Sequence, residues 1–576
     1  MRNIEITNLF NEIADFLEVK DENPFRIRAY RRAAQAVEGL SEDIAAIAER
    51  RGLLDVPGIG KDLATKIQEY LTSGTIEYLE GLRKEIPAGV IELMGIHGVG
   101  PKTARLLYEQ VGVDSVEKLE DLAKAHKLAG LPGIKSKTEE NILKGIAVWR
   151  SGRERMPLGT ALTLAEAILE RLRGLPGVDQ IEAAGSLRRM KETVKDIDIL
   201  VTSKRPARVM EIFVGLPNVS EVLAHGDTKS SVRLRENIAV DLRVVEPDCF
   251  GAALQYFTGS KQHNIRVREL AQRKELKVSE YGVFNEGTDR RVTGKTEEEV
   301  YRAVGLPLIA PELREDSGEI EAALEGRLPT LVSLPDIRGD LQMHTTWSDG
   351  AHSLAELAEG VRAKGYEYMA VTDHSKSATV AGGMKDDQVL RMIAEVRALN
   401  ETMKDFRVLA GCEVDIRGDG TLDFPDEILR QLDLVLVSVH SRFKMTREEM
   451  TARIVRAVQH PLVHLLGHPT GRLIGERGAY EVDMEAVLTA DRAAGVAVEI
   501  NASPSRLDLN DLHARRAKEL GIPVAINTDA HTIGQLDNMR FGISVARRAW
   551  LTPGDVLNTW PEKQLVSWLE KKRSRA

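Results

Sequence analysis

The chain has 576 residues and a formal net charge of −9, from 79 Lys and Arg residues against 88 Asp and Glu residues. This length predicts several domains, and the negative charge excludes a uniformly basic DNA-binding protein, although one basic surface can coexist with acidic domains. The two cysteines, Cys249 and Cys412, lie far apart and suggest no disulfide framework, which is typical of a reducing cytoplasm. No apolar run reaches the roughly 20 residues that cross a bilayer, so we expect no membrane partner.

Two similar Gly-hydrophobic-Gly motifs, and a looser third copy, interrupt the helices predicted in the N-terminal third. The glycines of the two close copies, and the lysine that follows the second copy, are Gly58, Gly60, Gly98, Gly100 and Lys102. Glycines let such a turn adopt positive φ, and the next helix presents unpaired N–H groups to a phosphate. One copy would more often be a plain helix–helix turn. The repeat resembles helix-hairpin-helix motifs, which bind the DNA backbone without reading the base sequence.

Three aspartates on predicted strands mark the central part of the chain. Asp196 and Asp198 are two residues apart, so their side chains lie on one face of a strand. A later strand carries Asp241, and a Gly185-Ser186 turn precedes the pair. Carboxylates that converge repel one another unless a cation lies between them, and Mg²⁺ prefers such oxygen ligands. The pattern predicts two-metal phosphoryl transfer, with a solvated surface strand as the alternative for Asp196 and Asp198 alone.

Strands alternate with helices in the prediction after residue 337, and the apolar strands end repeatedly in His, Asp or Glu. Polar residues at the carboxyl ends of repeated β/α units are typical of a TIM-like barrel with its site at that face. Any single histidine after a strand would more often be structural, but the repetition predicts a site for Zn²⁺, Mn²⁺ or Fe²⁺. The histidines that do not follow strands, which we interpret as surface or structural residues, are His352, His460, His464 and His513.

Residues 1–310 resemble the family X DNA polymerases, represented by DNA polymerase beta. The matching phrases, in order, are Gly185-Ser186-Leu187-Arg188-Arg189, Asp196-Ile197-Asp198, Val240-Asp241-Leu242-Arg243 and Tyr256-Phe257-Thr258-Gly259-Ser260. The resemblance implies that the three aspartates are catalytic and bind Mg²⁺, and that Arg268 contacts the template strand. The implied nucleotide-binding residues are Gly185, Ser186, Arg189, Tyr256, Phe257, Gly259, Lys261 and Asn264.

Two positions depart from the pattern of that family. Lys261 stands where the beta enzyme has an acidic residue near the incoming base, and we hypothesise that it strengthens nucleotide binding before DNA arrives. Lys66 aligns with the family's Schiff-base lysine for removal of 5′-deoxyribose phosphate, a reaction that needs a partly neutral amine. Asp62 occupies a nearby lysine position of the family. Lys66 is therefore a candidate lyase residue, and plain binding of a 5′-phosphate is an equal alternative.

Residues 337–570 resemble the polymerase and histidinol phosphatase (PHP) domain, a distorted (β/α)₇ barrel with a trinuclear metal centre that hydrolyses phosphoesters. The implied metal ligands are His344, Asp349, His374, Glu413, His440, His468, Asp529 and His531. The family's opening Asp-x-His-x-His reads Asp340-Leu341-Gln342-Met343-His344 here. Because Gln342 offers only a neutral amide oxygen, we predict a weakened metal position at that point.

These motifs together predict a multidomain chain with a helix-hairpin-helix α-helical N-terminal domain, an α/β nucleotidyltransferase palm and thumb, and a C-terminal (β/α)₇ PHP barrel. The predicted domains are residues 1–83 for gap and 5′-phosphate binding, 84–152 as a helical fingers-like domain, 153–246 as the palm, 247–312 as the thumb-like domain, 313–336 as a linker and 337–576 as the PHP domain.

We predict a DNA-directed DNA polymerase that fills short gaps in base-excision repair, joined to a metal-dependent 3′–5′ exonuclease that can also act as an AP endonuclease or 3′-phosphatase. The expected cofactors are Mg²⁺ at the polymerase site and Zn²⁺ or Mn²⁺ at the PHP site. Gapped or primed DNA and dNTPs are the expected partners of a cytoplasmic monomer. A template-independent nucleotidyltransferase and a DNA-end-binding scaffold with a weakened PHP site are the alternatives.

Overall fold

The computed structural model describes residues 2–38, 44–56, 58–96 and 98–574 of the chain. Pro57 and His97, which belong to the two glycine motifs, lie outside the described residues. Within those ranges, every helix is too short or too polar to cross a bilayer.

Helices form the N-terminal part and share one apolar core. They are α1 (Arg2–Val19), α2 (Pro24–Glu38), α3 (Ile44–Glu49), α4 (Lys61–Ser73), α5 (Glu77–Glu85), α6 (Ala88–Leu93), α7 (Pro101–Val111), α8 (Val116–Lys124) and α9 (Ser136–Glu154). Ile6, Phe10, Ile13 and Leu17 recur at helical spacing on α1 and are fully buried. The same core extends to Ile146 on α9, so the helices before and after residue 84 pack together.

The two glycine motifs form the turns that lead into α4 and α7. Gly58 and Gly98 have φ values of +87° and +94°, a conformation that glycine adopts without a steric penalty. Gly60 and Gly100 are extended residues that immediately precede the two helices. The apolar residue between each pair of glycines is buried, while the glycines are exposed. The backbone of both turns is therefore accessible to a phosphate.

A mixed sheet with strand order β2-β4-β7-β6-β5 forms the palm part. Its elements and those beside it are β1 (Met156–Pro157), α10 (Leu158–Arg173), β2 (Val178–Ala183), α11 (Gly185–Arg188), β3 (Thr193–Val194), β4 (Asp196–Ser203), α12 (Pro206–Val214), β5 (Val219–His225), β6 (Lys229–Leu234) and β7 (Ala239–Val244). The central strands β4 and β7 are parallel neighbours. Ile197, Ile199 and Val201 alternate along β4 and bury one face of the sheet. Residues 151–154 continue α9 and lead directly to β1.

The thumb part combines helices with a small antiparallel sheet of order β10-β9-β8. Its elements are α13 (Phe250–Thr258), α14 (Lys261–Gln272), β8 (Leu276–Ser279), β9 (Gly282–Asn285), β10 (Arg291–Thr293), α15 (Glu297–Val304) and α16 (Glu319–Leu324). The last helix, α16, lies within the segment 313–336 that was predicted as a linker. Its Ile320 is 1% exposed and packs into the same core as Val300 and Tyr301, so this part of the connector is anchored to the thumb.

A parallel barrel forms the C-terminal part, and its strands are neighbours in chain order. The strands are β11 (Gly339–Asp340), β12 (Tyr368–Val371), β13 (Arg407–Asp415), β14 (Leu434–Ser438), β15 (Leu465–Leu466), β16 (Ala497–Asn501) and β17 (Val524–Asn527). The helices are α17 (Leu354–Ala363), α18 (Asp386–Thr402), α19 (Asp426–Leu429), α20 (Arg447–Val458), α21 (Met484–Ala494), α22 (Asp511–Glu519), α23 (Met539–Arg548) and α24 (Glu562–Arg573). A parallel bridge between Met343 and Ala530 nearly closes the barrel.

The palm part packs directly against the barrel. Gly159, in the first turn of α10, has no room for a side chain, since a Cβ there would lie 2.5 Å from the Pro504 Cβ. An ion pair between Arg540 and Glu166, 2.7 Å long, lies at the exposed edge of this contact. The polymerase part and the barrel are therefore joined by more than the connector.

Candidate active sites

The three predicted catalytic aspartates converge on one face of the palm sheet. The register of the parallel pair β4 and β7 sets Asp198 directly beside Asp241, and Asp196 precedes Asp198 by two residues. Burial, together with the charges of Asp196 and Asp241, raises the pKa of Asp198 to about 6. Lys229 Nζ lies 3.4 Å from Asp241 Oδ2 and offsets part of this repulsion. A set of converging carboxylates with a raised pKa fits a divalent cation bound between them.

The Gly-Ser turn lies against these aspartates. Gly185 has a φ of +63°, and a Cβ on it would lie 2.6 Å from Asp198 Oδ2. Glycine is therefore required here both for the backbone conformation and for the close approach. Ser186 lies in α11, and Arg189 follows this helix directly and contacts Thr258 of the thumb. The structure thus brings the turn and the aspartates together as the sequence predicts.

The predicted triphosphate residue Arg189 is held by the thumb. Its Nη1 donates to the backbone oxygen of Thr258 at 2.6 Å, and its Nε donates to Glu315 Oε1 at 3.0 Å. The neighbouring Arg188 forms a bidentate pair with Glu297, with a shortest distance of 2.6 Å. Sequence reasoning missed both glutamates, because they lie more than 100 residues from their partners.

The other predicted nucleotide-binding residues cluster at the junction of α13 and α14. The rings of Tyr256 and Phe257 meet edge to face at 5.2 Å, and Arg243 of β7 lies 4.6 Å from the Phe257 centroid. Gly259 has a φ of +69° and lies beside Arg189 Nη1. This junction is therefore connected both to the strand of Asp241 and to the Gly-Ser turn.

Asn264 is hydrogen-bonded within the thumb rather than directed to solvent. Its Nδ2 donates to the Tyr256 backbone oxygen at 2.7 Å, and its Oδ1 accepts from Gln255 Nε2 at 2.7 Å. The base contact implied for Asn264 requires exchange of at least one of these bonds. Lys261, in the first turn of α14, and Arg268, two turns later, are exposed and lie on the accessible side of the helix.

Lys66 lies under an aromatic ring in the first hairpin region. Its Nζ is 2.5 Å from Asp62 Oδ1 and 5.3 Å from the Tyr78 ring centroid, and its side chain is 11% exposed. The second hairpin places Lys102 on the exposed first turn of α7, beside Gly100. The lysines of the two hairpins therefore differ. Lys66 in the first hairpin is buried and paired with Asp62, whereas Lys102 in the second hairpin is exposed to solvent.

The eight predicted PHP ligands form one connected cluster at the carboxyl end of the barrel. Overlapping groups whose ligand atoms lie within 4.8 Å of one another are His344-Asp349-His374-His531, His374-Glu413-His440 and His344-Glu413-Asp529. His468 Nε2 joins the cluster at 2.8 Å from Glu413 Oε1. Glu413 is central to the cluster, since it is near four of the histidines and is 1% exposed.

Four of the five histidines in this cluster have a buried Nδ1 atom without a hydrogen bond, although carboxylate oxygens lie nearby, such as Glu413 Oε2 at 3.3 Å from His374 Nδ1. In the described part of the chain, no hydrogen-bond partner reaches the Nδ1 atoms of His344, His374, His440 and His468. Burial opposes protonation of His344, yet Asp529, Asp349 and Glu413 raise its pKa to about 10, which shows a strongly negative site. Unpaired buried nitrogens beside concentrated carboxylates are the donor set of a site for borderline divalent metals.

Two buried residues beside this cluster, Glu499 and Asp415, were not predicted as site residues, and Gln342, the predicted weak metal position, contacts the first of them. With its amide nitrogen towards Glu499, Gln342 donates to Glu499 Oε2 at 3.0 Å, and Glu499 also accepts from the His468 backbone N–H at 2.7 Å. Asp415 accepts from the His440 backbone N–H at 3.1 Å. Glu499 lies inside β16, and Asp415 is the last residue of β13, two residues after the predicted ligand Glu413, so a search that took one ligand from each strand passed over both. A charged residue within an otherwise apolar buried strand was the signal.

Family models match several parts of the chain. They describe a helix-hairpin-helix domain at residues 1–76, a SAM-like helix-hairpin-helix tandem at 90–147, a DNA polymerase beta thumb at 253–315 and a PHP domain at 340–503. The chain is also 40% identical to the DNA polymerase/3′–5′ exonuclease PolX of Bacillus subtilis over 573 residues, which covers 99% of this chain and 100% of that protein. The chain belongs to the PolX family.

Other relatives of this PolX-family chain match parts of it. A probable phosphatase of Thermoanaerobacter sp. (strain X514) is 30% identical over 246 residues, which covers 40% of this chain and 96% of that protein. DNA polymerase lambda of Rattus norvegicus is 27% identical over 345 residues, which covers 54% of this chain and 56% of that protein. The predicted fold, the family X polymerase with its C-terminal PHP domain, and the class of enzyme are confirmed by these matches.

Proposed function

We propose that this PolX-family chain is a DNA-directed DNA polymerase that fills short gaps during base-excision repair and removes 3′ nucleotides in its PHP domain. The polymerase activity is inferred mainly from one observation. Asp196, Asp198 and Asp241 converge beside the Gly-Ser turn, and only glycine fits at position 185 of that turn. The 40% sequence identity to the PolX of Bacillus subtilis, which extends over the whole of that protein, supports both activities.

Two Mg²⁺ ions are the proposed cofactors of the polymerase site, where they stabilise charge on the attacking and leaving oxygens. Asp196 and Asp198 would hold both ions, and Asp241 would bind the ion nearest the primer 3′ end and accept the proton of the 3′-hydroxyl. Ser186 and Arg189 would bind the triphosphate. The half-exposed position of the aspartates leaves room for the ions to enter with the nucleotide.

The proposed nucleotide pocket continues at the junction of α13 and α14. Tyr256 and Phe257 would pack against the sugar, and Asn264 would exchange its bond to the Tyr256 backbone for one to the base. Lys261 would add a cation near the incoming nucleotide, and Arg268 would contact the template strand. Both cations are exposed on α14, which supports these roles.

DNA is proposed to be held by the two hairpins. The exposed turns at Gly58-Ile59-Gly60 and Gly98-Val99-Gly100 would bind backbone phosphates through their N–H groups, and Lys102 would add a charge. We further propose the domain boundaries predicted above: the N-terminal gap-binding domain at 1–83, the fingers-like domain at 84–152, the palm at 153–246, the thumb-like domain at 247–312, the linker at 313–336 and the PHP domain at 337–576. We also propose that the protein works as a cytoplasmic monomer.

The PHP cluster is proposed to hold Zn²⁺ or Mn²⁺ and to hydrolyse the terminal 3′ phosphodiester. The eight ligands give nitrogen and oxygen donors in overlapping groups, which supports more than one bound ion. The ions would polarise the phosphoester and activate water for attack. Similarity to a probable phosphatase favours a second activity on phosphomonoesters, removal of 3′-phosphates, and cleavage at abasic sites is a further candidate.

Two roles remain open for Lys66, and the structure favours the simpler one. Its Nζ donates to Asp62 Oδ1 at 2.5 Å, so attack of this amine on an aldehyde would require that contact to break. Binding of a 5′-phosphate is therefore the proposed role. Borohydride treatment of the protein with an abasic 5′ end tests it, since covalent trapping through Lys66 would establish the lyase instead.

The deciding experiment uses a duplex with a one-nucleotide gap, in Mg²⁺ and in Mn²⁺, with and without dNTPs. We expect addition of the templated nucleotide with dNTPs and shortening of the 3′ end without them. Addition that ignores the template would favour the template-independent nucleotidyltransferase. Binding of the DNA with neither product would favour the end-binding scaffold.

A further inference from the structure

The PHP domain places one arginine directly behind the nucleotide-binding turn of the polymerase part. Arg548 is the last residue of α23, and its side chain is 6% exposed. Its Nη1 donates to the Arg189 backbone oxygen and to Glu315 Oε1, both at 3.1 Å. Its Nη2 donates to Asp511 Oδ2 at 2.5 Å, within its own domain. The Arg548 guanidinium thus bridges the barrel and the polymerase site.

One carboxylate oxygen lies between two arginines from different domains. Glu315 Oε1 accepts from Arg548 and also from Arg189 Nε, the latter at 3.0 Å. The Arg189 Nη1 is fixed separately by the Thr258 backbone oxygen. Because the guanidinium is a rigid planar fork, bonds to two of its nitrogens determine where the third points. The orientation of Arg189 therefore depends on the position of Glu315.

The segment that carries Glu315 is held from both sides. Towards the PHP domain, Glu312 pairs with Arg547 at 2.7 Å. Towards the thumb, the fully buried Arg314 pairs with Glu297 of α15 at 2.6 Å, and Glu297 in turn pairs with Arg188 of the Gly-Ser turn. Three charged residues of this short segment, Glu312, Arg314 and Glu315, thus connect helix α23 of the PHP domain with the thumb and with the Gly-Ser turn.

Positive charge exceeds negative charge around Glu315. Arg189, Lys191 and Arg548 face Glu315 and Asp511, and burial together with the charge of Arg548 lowers the pKa of Lys191. Removal of Arg548 would leave Glu315 and Asp511 without a shared partner in a largely buried site. Loss of the Arg548 charge is therefore expected to be destabilising, since the side chains of Glu315 and Asp511 would have to move to reach solvent or another cation.

We propose that Arg548 of the PHP domain is a positioning residue for the polymerase reaction, which holds Arg189 through Glu315 so that Arg189 can receive the nucleotide triphosphate. This inference rests on the proposed role of Arg189. The PHP domain then contributes to nucleotide binding, in addition to carrying its own metal site. Arg548 itself touches neither the nucleotide nor the metal ions.

The test is steady-state gap filling by the full-length protein, with KM for the templated dNTP and kcat measured separately. We expect Arg548→Ala to raise KM about five- to tenfold and to leave kcat within about twofold, because binding rather than chemistry is weakened. Arg548→Lys keeps one charge and should raise KM less. Arg540→Ala is the matched control, since it removes another interdomain ion pair on the same helix, and its KM should equal that of the parent.

A double variant separates positioning from general loosening of the interface. If Arg548 acts through Glu315, Glu315→Gln combined with Arg548→Ala should raise KM no more than the larger single change. Exonuclease activity of Arg548→Ala reports whether the PHP domain is folded. If that activity is lost, Arg548→Lys decides, and a raised KM with full exonuclease activity supports the inference.

Arg189→Ala distinguishes failure of the inference from failure of the proposed site. An increase of KM in Arg189→Ala together with an unchanged KM in both Arg548 variants would overturn the inference and leave the proposed function intact. An unchanged KM in Arg189→Ala would overturn the role of Arg189 and the inference with it.

Discussion

The proposed polymerase centre consists of carboxylates on the open face of a sheet, whereas the proposed PHP centre consists mainly of histidines at the end of a nearly closed barrel. Asp196 is exposed and Asp198 and Asp241 are half-buried, while His344 and Glu413 of the PHP centre are at most 1% exposed. Oxygen ligands near solvent suit Mg²⁺ that arrives with a nucleotide. Buried nitrogen and oxygen ligands suit ions that stay bound between reactions.

The difference teaches how one chain keeps opposed reactions apart. The proposed polymerase centre would lengthen a 3′ end and the proposed PHP centre would shorten it, and the residues assigned to the two centres do not overlap. Distinct ligand chemistry lets each centre select its ion independently. The predictions that follow are ways to disable one centre without the other, or to shift the contrast between them.

The largest effect is expected for Asp198→Asn. Loss of a central carboxylate removes metal-dependent stabilisation of the transition state worth several kcal/mol, and polymerisation should fall by about 10³-fold or more. Exonuclease activity on the same DNA should be unchanged. A comparable fall in both activities would show that the two centres are not independent.

The reciprocal change is His344→Ala, which we expect to abolish 3′–5′ exonuclease activity and to retain polymerisation. His344 lies in two of the three ligand groups, so its loss should disturb more than one ion. Metal analysis should show fewer tightly bound ions. His460→Ala is the control, because His460 pairs with Asp426 at 3.2 Å outside the cluster. Retention of exonuclease activity in His344→Ala would refute the proposed centre.

Gln342→His tests the weakened metal position. A histidine here offers the ligand that the family's usual opening has, and we expect Mn²⁺ or Zn²⁺ to bind about tenfold more tightly, with a matching gain in exonuclease activity at limiting metal. Polymerase activity should be unchanged, so that the two centres would differ more in metal affinity than they do in the parent protein. Unchanged metal affinity would mean that the metal position at Gln342 is not weakened.

A pH dependence between pH 5.5 and 7.5 is expected for the polymerase centre. Burial and the neighbouring Asp196 and Asp241 raise the pKa of Asp198 to about 6, so this ligand is ionised above pH 6 and protonated below it. Apparent Mg²⁺ affinity should therefore be about fourfold weaker at pH 5.5 than at pH 7.5. Affinity that is constant over this range would contradict the raised pKa.

The raised pKa of Asp198 has the opposite effect on the stability of the metal-free protein, which is expected to fall as the pH rises. Because the folded-state pKa of Asp198 lies above the ordinary value of 3.8, the folded state binds more protons between that value and about 6. The contribution of Asp198 to stability should fall as pH rises through this window. Mg²⁺ should reverse the loss above pH 6, which thermal unfolding with and without the ion can measure.

The smallest effect is expected for Lys261→Asp. Lys261 is exposed, so solvent screens its charge, and we expect the dNTP affinity of the DNA-free protein to fall about threefold to fivefold. Titration calorimetry or fluorescence measures it, with Arg273→Asp at the far end of α14 as control. An unchanged affinity would remove the special role of Lys261.

Features set by local periodicity could be predicted from the sequence. Two aspartates spaced by two in a strand share a face, and ligands after parallel strands meet at one end of a barrel, so both clusters follow from short patterns. The positive φ of Gly58 and Gly98 follows from the glycine motif in the same way.

Features set by packing between distant segments could not be predicted. Asn264 is engaged by Gln255 and the Tyr256 backbone, Gln342 by Glu499, and the Gly-Ser turn by Arg548, 359 residues from Arg189. No local pattern encodes such pairs, because they depend on how the elements dock.

The most direct test of two separate metal centres is an anomalous difference map from crystals of the protein soaked in Mn²⁺. We expect peaks beside Asp196, Asp198 and Asp241 and separate peaks among the histidines around Glu413. Asp198→Asn should remove only the first set. Peaks at a single location, or loss of both sets in Asp198→Asn, would contradict the account.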